Sequence, residues 1–182
     1  MESGVMETSG GLTRPNEERL FFALWPAARV ARILATAWPE SGTRNPEDYH
    51  MTLAFLGATS PEEKARLMAQ AGALRGAPFT LRFGRLAYWE GPGVLVLEPL
   101  QVPPAALRLA EAVQGLVSRR GRPLEPYRPH VTLARPKVLP EMGTANVAVD
   151  WAVRDFVLAR ANPAAMPRYT ILARWPLDER SL

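Results

Sequence analysis

His50-Met51-Thr52-Leu53-Ala54 returns later in the chain as His130-Val131-Thr132-Leu133-Ala134, and these two segments hold both histidines of the 182 residues. Each reads His-x-Thr-Leu-Ala with an apolar residue at x. Average residue usage gives roughly one chance in a thousand of Thr, Leu and Ala at those offsets after one His, and roughly one in a million for both. The repeat is therefore a duplicated site, or two sites selected to match. In a strand, residues i and i+2 share a face about 6.5–7 Å apart. His50 thus projects with Thr52, and His130 with Thr132. Met51, Leu53 and Phe55 are expected on the other face of the first strand, and Val131 and Leu133 on that of the second, anchoring each strand on helices. The His/Thr faces are then free to meet across a groove.

Outward from these segments the chain alternates strand and helix signals. Arg19 to Trp25 is a dense apolar run of strand length bounded by Pro26. Residues 27–38 place Val30, Ile33, Leu34, Ala37 and Trp38 at helical spacing. The strand that starts at His50 is expected to close at Gly57. A helix follows from Ser60, where Ser60 with Glu63 forms a capping box and Pro61 takes the first helical position; Gly76 stops it. Strands are expected at 78–83, 86–90 and 94–98, the last two joined as a hairpin by Gly91-Pro92-Gly93. A helix over 104–120 ends at Gly121, and further strands are expected at 130–135, 154–160 and 169–175. Two runs of strands served by long helices argue an α+β fold with mainly antiparallel sheets; a doubly wound parallel sheet is the weaker alternative. Residues 1–18 read as a flexible tail, and 19–182 as a single domain.

Composition narrows the function classes. Hydrophobic residues at 47% and charged residues at 22% are globular values. No apolar run reaches the ~18 residues of a membrane span, and the start lacks the basic and apolar regions of a secretory signal. A cytoplasmic location without membrane association is the expectation. The absence of Cys removes disulfides, thiol catalysis and Cys-based zinc sites. No Gly-rich phosphate loop offers ATP a seat. The net charge of +4 is a mild bias toward anionic partners such as RNA or phosphates.

Two imidazoles and two hydroxyls around one tetrahedral anion suit phosphodiester chemistry. One His can remove a proton from the attacking oxygen while the other delivers one to the leaving oxygen, because imidazole titrates near neutrality. The pair is expected to titrate on either side of neutrality and to give a bell-shaped pH profile. Thr hydroxyls donate to non-bridging oxygens. Two His supply only half of a tetrahedral zinc shell, and no carboxylate stands at ligand spacing, so no metal and no cofactor are expected. The competing structural reading, two satisfied histidines on half-buried strands, gives packing no reason to demand His-x-Thr twice.

The paired motifs resemble the two-histidine phosphoesterase superfamily, in particular its branch of bacterial and archaeal RNA 2',3'-cyclic phosphodiesterases, formerly called 2'-5' RNA ligases. The resemblance covers nearly all of residues 19–177. It runs through Arg19-Leu20-Phe21-Phe22-Ala23-Leu24, the first motif with its flanks from Pro46 to Gly57, the second from Tyr127 to Arg135, and the closing Tyr169 to Leu177. It implies a two-lobed fold with pseudo-two-fold symmetry, each lobe bringing one His-x-Thr to a central cleft. It also implies metal-independent hydrolysis of a 2',3'-cyclic phosphate to a 2'-phosphate, with His50 as proton donor, His130 as proton acceptor, and Thr52 and Thr132 binding the phosphate. Neither motif by itself says which His is the acid. Ala161 stands where the family often has Ser. Arg135 follows the second motif as in the family and is a candidate phosphate ligand. An ideal pleat puts it on the face opposite His130, unless Pro136 breaks the strand and re-aims it. Tyr49, Tyr127 and Trp89 are candidates to stack on a base, against the alternative of core or rim aromatics. The implied partners are RNA ends or small cyclic nucleotides, bound by a monomer. Competing functions are 2'-5' ligation by the reverse reaction, a noncatalytic RNA-binding module, and a 3'-exonuclease or cyclising nuclease on the same scaffold.

Overall fold

The computed structural model describes residues 16–38, 44–118, 126–136, 148–164 and 166–178. The elements run β1 (Glu18–Leu24), α1 (Ala28–Ala35), a 3-10 turn (Pro46–Asp48), β2 (Met51–Thr59), α2 (Pro61–Ala73), β3 (Phe79–Trp89), β4 (Val94–Gln101), α3 (Pro104–Ser118), β5 (Val131–Ala134), β6 (Val149–Val153), β7 (Asp155–Ala161) and β8 (Tyr169–Pro176). They form two four-stranded antiparallel sheets, ordered β2-β1-β7-β8 and β5-β4-β3-β6. The fold is α+β, as the strand and helix signals imply.

The two sheets match strand for strand. Each motif strand, β2 or β5, lies at an edge and pairs with the strand that precedes the intervening helix, giving β1–α1–β2 in one lobe and β4–α3–β5 in the other. The helices tie the lobes together, since α3 packs on β2 of the first sheet and α1 packs on β6 of the second. Leu20, Phe22 and Leu24 of β1 face the main core, while Phe21 and Ala23, on its other side, form a small cluster with Val157 and Ala159 of β7. Phe21 of that second cluster lines the cleft.

Local chemistry explains the helix starts. Ser60 accepts from the Glu63 N–H at 3.2 Å and Pro61 opens α2, as the capping pattern predicts. Asn45 accepts from the Glu47 N–H at 3.1 Å and starts the 3-10 turn that leads into the first motif.

Several boundaries differ from the sequence expectation. β1 begins at Glu18, whose carboxylate bridges Lys64 and Arg160; residues 1–15 of the expected tail lie outside the described residues. Gly57 does not close β2. Its φ of 71° lets the strand run on through a register shift to Thr59. Strands expected at 78–83 and 86–90 are one strand, β3, carried through irregular pairing around Gly84. β6, with Val149, Trp151 and Val153 alternately buried, was not expected from the sequence. The residues expected to end α3, Arg119 to Pro123, lie outside the described residues.

Phe22 is fully buried, 6.0 Å from the Trp175 ring and 6.4 Å from that of Phe156. Phe22→Ala is expected to cost about 3–5 kcal/mol through lost burial and a cavity. Thermal melting should then fall by roughly 10 °C or more; an unchanged melting temperature would mean that this packing carries little of the stability.

Candidate active site

Both motifs depart from an ideal pleat at the same place. In β2, Phe22 pairs with Ala54 and Ala23 with Thr52, so Leu53 is the extra residue of a bulge. In β5, Leu95 pairs with Ala134 and Val96 with Thr132, so Leu133 is the extra residue there. A bulge leaves one residue out of the ladder and reverses the alternation beyond it. Met51, Leu53, Val131 and Leu133 are buried as expected, but Phe55 is 71% exposed and lines the cleft with Thr52. Arg135, the equivalent position five residues after its histidine, is turned into the same cleft. The expected opposite-face placement of Phe55 is thus corrected, and the bulge at Leu133 supplies the re-aiming of Arg135. Each bulge carbonyl finds a donor: Gln114 of α3 reaches Leu53 O at 3.4 Å, and the Arg44 N–H donates to Leu133 O at 2.9 Å.

The two histidines are held alike. Nδ1 of His50 lies 2.7 Å from Asp48 O, and Nδ1 of His130 lies 2.7 Å from Arg128 O, each the carbonyl two residues back. A carbonyl only accepts, so Nδ1 carries the proton in both rings and Nε2 is left for proton transfer. His50, Thr52, His130, Thr132 and Arg135 all line one cavity of about 480 Å³. The five residues singled out from the sequence are therefore brought to one place.

Their surroundings differ. His50 stacks on Trp25, with ring centroids 5.0 Å apart and planes 15° apart, and lies at the same centroid distance from Phe21; Tyr169 meets it edge-on at 4.9 Å. Burial pushes its pKa down to about 4, helped by the positive charge of Arg44 and by His130, and opposed by the Asp48 carbonyl. Burial also lowers the pKa of His130, but there the Arg128 carbonyl and the Glu98 carboxylate act in the opposite direction. Glu98 accepts from Trp89 Nε1 at 3.1 Å and faces Arg128 at 3.7 Å, while the Arg128 guanidinium lies 3.9 Å above the Trp89 ring. Both shifts favour the neutral imidazole in the free protein, where the sequence leads one to expect a pair titrating on either side of neutrality.

The aromatic candidates sort by burial. Tyr49 is a core residue at 1% exposure, which removes it as a base-stacking group. The Tyr127 hydroxyl is buried without a hydrogen-bond partner among the described residues. One face of Trp89 is covered by Arg128, and its ring centre lies 4.3 Å from that of His130, so it supports that histidine. Ala161 lines the cavity, so the Ser-to-Ala difference falls on the cleft wall. Arg19, Arg44 and Tyr169 also line it and were not singled out from the sequence. Arg44 and Tyr169 are joined by a 3.1 Å hydrogen bond that no local pattern announces. Among the described residues, no three His, Asp or Glu side chains cluster in a way that would hold a metal ion. No described helix is long and apolar enough to cross a membrane.

The family model described as the 2'-5' RNA ligase superfamily matches residues 23–162. The RNA 2',3'-cyclic phosphodiesterase of Escherichia coli (strain K12) is 33% identical over 177 residues, covering 89% of this chain and 98% of that protein. The crystal structure of E. coli LigT complexed with 3'-AMP has a TM-score of 0.79 at 32% identity, covering 88% of this chain and 98% of that one. LigT complexed with phosphate has a TM-score of 0.78 at 29% identity, covering 91% and 100%.

Proposed function

Given that the chain belongs to the 2'-5' RNA ligase superfamily, we propose that it is an RNA 2',3'-cyclic phosphodiesterase that opens a terminal cyclic phosphate to a 2'-phosphate by acid/base catalysis between His50 and His130. The observation that carries this reading is the matched pair of edge strands. Each presents a histidine fixed through Nδ1 and a threonine two residues on, and all four side chains line one cavity. The named activity of the E. coli relative and its structures with 3'-AMP and phosphate support the same substrate chemistry.

In the proposed reaction, His130 Nε2 takes a proton from a water molecule whose oxygen attacks phosphorus. The bond from phosphorus to the 3'-oxygen breaks, and His50 Nε2–H protonates that oxygen, leaving a 3'-hydroxyl and a 2'-phosphate. Thr52, Thr132 and Arg135 bind the non-bridging oxygens, whose charge grows in the transition state. The proton on His50 arrives with the substrate, because the anionic phosphodiester favours the imidazolium that the empty cleft disfavours.

An oligoribonucleotide ending in a 2',3'-cyclic phosphate, incubated with protein pretreated with EDTA and without ATP, tests the reading. Turnover equal to that of untreated protein is expected. No turnover, or turnover lost on chelation and restored by zinc or manganese, would contradict it. Thr52→Val and Thr132→Val each remove one hydrogen bond to a charged acceptor, about 1.5–3 kcal/mol. Each should lower kcat/KM by roughly 10- to 150-fold while melting as the parent protein does; an unchanged kcat/KM would take that threonine out of the phosphate site.

A further inference from the structure

We propose that Arg44 is a phosphate-binding residue of this cleft, its guanidinium donating to the non-bridging oxygens of the group held between the two histidines. This rests on the placement of a phosphate between His50 and His130. Arg44 lines the same cavity as both histidines and both threonines. Its Nη1 donates to the Tyr169 hydroxyl at 3.1 Å, while its Nε is buried with no acceptor among the described residues. A guanidinium that lines the cavity has N–H donors beyond the one given to Tyr169, and a phosphate oxygen in the cavity is a charged acceptor for them. The positive charge of Arg44 disfavours the imidazolium of His50, which lines the same cavity.

The backbone makes this placement firm. The Arg44 N–H donates to Leu133 O, the carbonyl at the centre of the bulge that turns Arg135 into the cleft. Arg135 is itself held by a 2.8 Å bond from Nη1 to Pro92 O. One guanidinium thus approaches from each lobe, and both hang on the same irregularity of β5. Pseudo-symmetry does not account for Arg44: six residues before His130 stands Leu124, and five residues after His50 stands Phe55. The two motifs match, whereas each lobe supplies its cation from a different side of its motif. A planar fork is suited to two phosphate oxygens, and a lysine supplies the charge alone.

Calorimetric titration with inorganic phosphate, on the parent protein and on R44Q, R44K and Y169F, tests this without relying on turnover. R44Q is expected to weaken phosphate binding by tenfold or more, R44K by less. Y169F keeps the ring against His50 but removes the acceptor of Arg44, and is expected to stay within about threefold of the parent. NMR titration of His50 should show its midpoint rising in R44Q, since a neighbouring positive charge is gone. Phosphate affinity unchanged in folded R44Q, an equal loss in Y169F, or no phosphate binding by the parent protein would each overturn the assignment. If phosphate binding depends on Arg44 but cyclic ends are not hydrolysed, the proposed activity fails and the Arg44 site stands.

Discussion

Alanine in place of His50 or of His130 is expected to lower turnover on a cyclic-phosphate end by about 10²–10⁴, the range of a positioned acid or base. The fold should survive. Both rings are only partly buried at a cleft, so truncation opens space toward the cavity and not inside the main core. The double variant should be little worse than either single one, because an acid and a base acting in one step are not additive. Melting temperatures measured beside the rates separate catalysis from stability. Near-parent turnover in either variant would remove that histidine from the reaction. A variant that unfolds would return the histidines to the structural reading, in which Trp25 and Trp89 hold them as packing residues.

The pH profile gives the second large effect. kcat/KM reports groups of the free protein, and there burial holds His50 near 4 and lowers His130 from its ordinary value. A lowered imidazole pKa means that the proton is lost at lower pH, so both limbs of the bell move to the acid side. The maximum of kcat/KM is expected below pH 6.5, and at pH 8 the value should be down by about 30-fold or more. The kcat profile should lie at higher pH, since an anionic phosphodiester bound between the histidines would favour the imidazolium. Both limbs belong to the coupled pair. A kcat/KM maximum at pH 7.5 or above, or a flat profile from about pH 5 to 9, would contradict two desolvated imidazoles at the site.

How far the sequence reads depends on where the backbone is regular. His50, Thr52, His130 and Thr132 precede the bulges, so an ideal pleat places them correctly. Phe55 and Arg135 follow the bulges, and the same pleat places them on the wrong face. Nothing local marks the bulges, because the extra residues are Leu53 and Leu133, ordinary strand residues with no glycine beside them. Gly57 misleads in the other direction: it reads as a stop but serves a positive φ inside a continuing strand. Arg44 and Tyr169 reach the site through contacts between segments far apart in sequence, which periodicity does not encode. β6 has a clean alternation, but with five residues it is short for recognition. The cap at Ser60 is local chemistry and is legible as such.

The most direct test is hydrolysis of a cyclic-phosphate-ended oligonucleotide in 18O-labelled water, with the product read by mass spectrometry and by phosphatase sensitivity. A single labelled oxygen in a phosphomonoester on the 2'-oxygen, formed by the parent protein and not by His50→Ala or His130→Ala, is the expected result. A phosphate on the 3'-oxygen, a product without label, or an intact cyclic end would contradict a pair of histidines opening the ring at the 3'-oxygen.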